Sequence, residues 1–116
     1  MIKAKEYRIG NWVSNGEVEV QLTSKDIYHL DVYVNRVIAK PIPITPEWLE
    51  RMGFISHRFY LEHQNENFEI TNGKDGFQYC VNGCEYVVGK PFLYVHQLQN
   101  LIFALTGEEI TIKDVV

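Results

Sequence analysis

Apolar and polar positions repeat with two different periods along this chain, and each change of period marks an element. Near the carboxyl end, at roughly 100° per residue, Tyr94, Val95, Leu98, Leu101, Ile102 and Leu105 fall on one arc of a helix. His96, Gln97, Gln99, Asn100 and Ala104 fall on the other. Thr106 and then Gly107 follow, with glycine where a helix end favours a residue that tolerates a left-handed backbone. The pattern predicts a helix over 94–105 with its apolar face laid on a sheet. At roughly 1.5–3 kcal/mol per fully buried large side chain, that face is the largest single packing contribution the sequence offers. His96, Gln99 and Asn100 are expected on a solvated face. Phe103 shares the angular position of His96 and is expected to meet the N-terminal part of the chain.

Period-two patterning predicts strands elsewhere. Residues 7–13 and 18–22 read as a hairpin, with Asn15-Gly16 as a two-residue turn that sets Ser14 opposite Glu17 and Val13 opposite Val18. Ile9, Val13, Val18, Val20 and Leu22 then share a face with Asn11, and Trp12 stands alone on the polar side. Residues 23–30 read as a loop. The β-branched run at 32–38 adds a third strand, which suggests a small SH3-like unit.

Pro41 and Pro43 mark an extended connector. Thr45 then caps a short helix with Pro46 at its first position, Glu47 in the first turn and Gly53 at its end. Trp48, Leu49 and Met52 form its apolar side. From Phe54 onward an antiparallel meander is predicted: one strand through 57–62, then strands at 68–71, 77–81 and 84–88, and a short edge strand at 110–112. Read as a two-residue turn, Asn82-Gly83 places Cys80 and Cys84 on opposite faces, which rules out a shared metal ion or disulfide.

Composition adds bounds. Hydrophobic residues at 46% and charged residues at 22% describe an ordinary globular chain. The net charge of −4, with Lys3, Lys5 and Arg8 as the only close basic group, disfavours nucleic-acid binding. Residues 1–10 carry no apolar signal core, and no run reaches the ~18 apolar residues of a membrane span, so a cytoplasmic protein is expected. The histidines at 29, 57, 63 and 96 have no metal-ligand spacing, and no nucleophile or phosphate-loop motif occurs.

Three segments carry a resemblance: 8–13 (RIGNWV), 41–54 (PIPITPEWL and the following MGF) and 94–109 (YVHQLQNLIFALTGEE). In that order they resemble a group of small proteins from Bacteroidetes and their phages or prophages, to which no activity, cofactor or catalytic residue is attached. The resemblance implies only context, an intracellular setting with a mobile-element origin left open.

The sequence thus predicts one α+β domain over 1–116, with sub-units at 1–44 and 45–116. Its leading functional reading is a non-catalytic binding module without cofactor or metal, acting on a protein partner or on a second copy of itself. Trp12, His96, Asn100 and Phe103 are the candidate contact residues. The alternatives are a nucleic-acid-associated accessory protein using Lys3, Lys5 and Arg8, and a small hydrolase or nucleotide binder whose site is assembled in space.

Overall fold

The computed structural model describes residues 7–24, 40–57, 60–64, 68–81, 83 and 85–113. These residues form an α+β arrangement: an antiparallel strand pair, a five-stranded antiparallel sheet and two helices. The chain divides into two units, residues 1–43 with 94–100 and residues 44–93 with 101–116.

In the first unit, β1 (Trp12–Ser14) pairs β2 (Glu19–Gln21) with Val13 opposite Val20. The expected two-residue turn is a four-residue loop instead. Asn15 Oδ1 accepts from the N–H of Glu17 at 2.9 Å and of Val18 at 3.0 Å, and the Asn15 N–H donates to the Val18 carbonyl at 3.1 Å. An asparagine that folds back on its own backbone favours this wider loop over a tight turn. The register moves by two residues, which leaves every side chain on its expected face. Val13, Leu22 and Asn11 are therefore buried, whereas Ile9 and Val18, at the ends, are exposed. Ser14 also exchanges backbone bonds with Lys40, at 2.9 and 2.8 Å. The third strand expected at 32–38, the SH3-like closure and most of the 23–30 loop lie outside the described residues.

The second unit opens with α1 (Pro46–Arg51). Thr45 Oγ1 accepts from the Trp48 N–H at 3.2 Å, Pro46 occupies the first turn, and Gly53 leaves the helix at φ +91°. Six residues make a marginal helix alone. Trp48, Leu49 and Met52 are buried, and the Arg51 guanidinium lies 4.1 Å from the Trp48 ring centroid. Arg51 also donates from Nε to the Lys113 carbonyl at 2.8 Å, while its own carbonyl accepts from the Lys113 N–H at 2.8 Å. The tail is held by that exchange and not by the expected edge strand, since 109–113 have no regular secondary structure.

The sheet runs β3 (Phe54–Ser56), β4 (Leu61–His63), β5 (Glu69–Gly73), β6 (Gly76–Val81), β7 (Tyr86–Phe92) in that order, each antiparallel to the next. The single strand expected through 57–62 is two strands joined by a turn, in which the His57 N–H donates to the Tyr60 carbonyl at 2.8 Å. Gly76 faces Gly73 across a tight turn at Lys74-Asp75. It must be glycine: φ is +131°, and a Cβ there would stand 2.6 Å from the Phe92 carbonyl oxygen of β7.

Val81 lies opposite Tyr86, so four positions, 82–85, separate β6 from β7 where two were expected. Cys84 falls within that span, where strand alternation no longer dictates facing; its own placement lies outside the described residues. Cys80 is buried and disulfide-bonded, and Cys84 is the only other cysteine in the chain. The expectation that the two face opposite sides rested on a two-residue turn, which the Val81–Tyr86 pairing replaces.

The last helix, α2 (Val95–Thr106), buries Val95, Leu98 and Ile102 completely. Leu105, at its end, is 51% exposed, so the apolar stripe is shorter than its sequence pattern. Gly107 closes it at φ +78°, its N–H donating to the Phe103 carbonyl at 2.8 Å. Among the described residues no helix is long and apolar enough to cross a membrane.

Candidate binding site

Three of the four sequence-derived contact residues, Trp12, His96 and Asn100, lie in the first unit. Arg8 to Asn11 form a turn in which the Asn11 N–H donates to the Arg8 carbonyl at 3.0 Å. Gly10 sits in its third position at φ +93°, as a type II turn requires. The turn is wired to α2 by side chains. Asn11 Oδ1 accepts from the Arg8 N–H, at 2.6 Å, and Asn11 Nδ2 donates to Asn100 Oδ1 at 2.8 Å. Arg8 Nε donates to the same Asn100 oxygen at 3.0 Å. Each amide orientation is forced, because an N–H can face only an oxygen.

Gln99 completes the network. Its Oε1 accepts from the Trp12 N–H at 2.8 Å, and its Nε2 donates to the Gly10 carbonyl at 3.2 Å. One side-chain amide thereby serves a donor and an acceptor two residues apart, as a neighbouring strand would. Gln99 and His96 are each 2% exposed, so the expected solvated face of α2 is in its first half an internal one. For Gln99 the physical reason is that the Gly10 carbonyl and the Trp12 N–H need partners, and its one amide supplies both.

His96 lies with its ring centroid 4.5 Å from that of Tyr7 and 6.1 Å from that of Tyr94. Burial lowers its pKa to about 4. Burial also lowers the pKa of Arg8, whose guanidinium is turned onto Asn100 and the Gln99 carbonyl. Trp12 is half-buried, and Phe103 is 38% exposed on the half of α2 that belongs to the second unit.

The second unit holds a recess that no sequence motif announced. Its floor is one face of the sheet. Ser56 lies opposite Leu61 and Asn72 opposite Phe77, and directly opposed residues share a face. Those four and Phe54 line it, Ile44 closes one side, and α1 supplies the wall through Pro46, Leu49 and Glu50, spaced as one helical face. The volume is about 560 Å³, open to solvent, which falls within the usual ~300–1,000 Å³ of ligand pockets. Six of the nine lining residues are apolar; Ser56, Asn72 and Glu50 are the polar ones.

Charge is distributed unevenly. Residues 1–43 with 94–100 hold five acidic and six basic side chains, whereas residues 44–93 with 101–116 hold ten acidic and five basic. The whole net negative charge thus belongs to the unit with the recess. Glu50 borders the recess and Glu47 lies one turn before it; neither carboxylate has an ionic or hydrogen-bond partner among the described residues. Among the described residues, no group of three or more His, Cys, Asp or Glu is placed to hold a metal ion.

The signals for this site were present but unremarkable in the sequence. Ser56 and Asn72 are ordinary strand residues, and their convergence depends on a register that only the fold supplies. No protein-family model matches the chain, and no curated protein or solved structure shows significant similarity to it.

Proposed function

We propose that the chain is a non-catalytic binding module that engages a protein partner through the recess of its second unit. The carrying observation is the recess itself: an open, mostly apolar cavity of about 560 Å³ with three polar residues in its lining. Acid–base or nucleophilic chemistry needs paired groups, a nucleophile with its base or an acid with its base. The lining offers one carboxylate, from Glu50, and one hydroxyl, from Ser56, within 3.4 Å of the His57 carbonyl as a donor.

Filling the cavity tests the reading. Ser56 lines the recess and is exposed, so Ser56→Trp is expected to leave the fold intact while occupying the recess. Peptides selected from a random display library on the wild-type chain are expected to bind Ser56→Trp at least about tenfold more weakly, a loss of roughly 1.4 kcal/mol. Equal binding to both would place recognition elsewhere.

A second copy of the chain is the other reading, favoured by β7. It is an edge strand whose Tyr86, Val87 and Val88 are each about half exposed, beyond which Gly89, at φ +81°, and Pro91 interrupt regular pairing. Open apolar edges of this kind pair with one another. If β7 joins two chains, sedimentation equilibrium should show a dimer that Val87→Lys converts to monomer. A monomeric wild type at 100-fold dilution steps down from millimolar, a range set by weak interfaces, removes this reading.

A further inference from the structure

Of the two acidic residues on α1, the one that borders the recess is badly placed for the helix that carries it. Glu47, in the first turn of α1, suits the positive end of the helix dipole. Glu50 does not: it is the penultimate residue of a six-residue helix, where the dipole disfavours a carboxylate. It also follows Glu47 by three positions, and like charges at that spacing repel. Arg51, the basic residue adjacent to it, is committed to the Trp48 ring and the Lys113 carbonyl. Among the described residues Glu50 therefore carries a charge without a partner on the lining of an apolar cavity, in the unit that holds the chain's negative excess.

We propose that the recess takes an apolar side chain whose neighbour in the partner's chain is basic, and that Glu50 reads that cation. This rests on the recess being the recognition surface. The cavity lining from Leu49, Phe54, Leu61 and Phe77 receives the apolar group, and Ser56 and Asn72 are the neutral polar groups of that lining. Charge complementarity then selects between partners of equal apolar content.

The test uses the isotope-labelled full chain and three blocked tripeptides: acetyl-Ala-Phe-Lys-amide, acetyl-Ala-Phe-Gln-amide and acetyl-Ala-Phe-Glu-amide. Amide shifts at Phe54, Ser56, Leu61 and Asn72 report occupancy. The lysine peptide is expected to bind roughly three- to tenfold tighter than the glutamate peptide, with glutamine between them. The gap should close at high salt. In Glu50→Gln the preference should fall below about twofold, while Tm rises by roughly 1–4 °C because a misplaced charge has gone. A gain in stability with a loss of selectivity is what a purely structural Glu50 would not give. If the three peptides bind equally, the charge inference is overturned and the recess survives as an apolar seat. If none of them shifts the recess amides, the recess reading falls as well. Retained preference in Glu50→Gln removes Glu50 from the role.

Discussion

Asn11→Ala is expected to lower the unfolding free energy by about 3 kcal/mol, read from urea denaturation at neutral pH. The side chain is fully buried and both ends of its amide are used. Truncation leaves the Arg8 N–H without its short bond, takes one of two donors from Asn100 Oδ1, and opens a small void. An unsatisfied buried donor alone costs roughly 1–3 kcal/mol. Asn11→Asp should be no better, although it is nearly isosteric. Its carboxylate can accept from Arg8, but it sets a second oxygen against Asn100 Oδ1 where Nδ2 now donates. Asn100→Ala breaks the same bond from the helix side. Combined with Asn11→Ala it should cost less than the sum, by about 1 kcal/mol of coupling. A loss below ~1 kcal/mol for Asn11→Ala, or strictly additive single changes, would show that water replaces the network without cost.

That network also explains where sequence patterning stopped being informative. Local signals were read correctly where one residue acts on its immediate neighbours. Thr45 capping α1, Pro46 in its first turn, Gly53 and Gly107 at positive φ, and the buried faces of Val13 and Leu22 all belong to this kind. Turn lengths were harder. Asn15-Gly16 has the composition of a tight turn, yet the Asn15 side chain closes a four-residue loop. The 82–85 span differs in the same way: Asn82-Gly83 has the composition of a two-residue turn, yet Val81 lies opposite Tyr86.

The polar half of α2 was misread for a different reason. Amphipathicity assigns polar residues to water by default, but Gln99 serves the backbone of Gly10 and Trp12, and Asn100 the side chains of Arg8 and Asn11, some ninety positions away. Nothing at either end of that separation marks the pairing by itself. The recess has the same character: Ser56 and Asn72 become neighbours of α1 only through a register that patterning cannot supply. A misplaced charge is the one part of it that could have been noticed earlier, since Glu50 sits at the wrong end of a helix whose boundaries the sequence does reveal.

Acid should weaken the fold through His96. The ring is 2% exposed, its Nδ1 has no hydrogen-bond partner among the described residues, and its pKa falls to about 4 from an ordinary 6.5. Desolvation by burial is the cause; the first turn of α2, with its positive dipole end, also opposes an imidazolium. Well above pH 6.5 the ring is neutral both folded and unfolded, and His96 contributes no pH dependence. As pH falls from 6.5 toward 4, the unfolded chain takes up a proton that the folded chain refuses. Stability then drops by up to about 1.4 kcal/mol per pH unit, for a total of about 2–3 kcal/mol, and levels off below the folded value. Carboxylates titrate at the lower end of this window, so the measured quantity is a difference between wild type and His96→Phe. Phenylalanine keeps a ring beside Tyr7 and Tyr94 and cannot be protonated. The variant is expected to gain on wild type by about 2 kcal/mol between pH 7 and pH 5. A gap between the two that does not change with pH would mean that the folded ring takes up its proton as readily as the unfolded one, and that the enclosure around it is open to water.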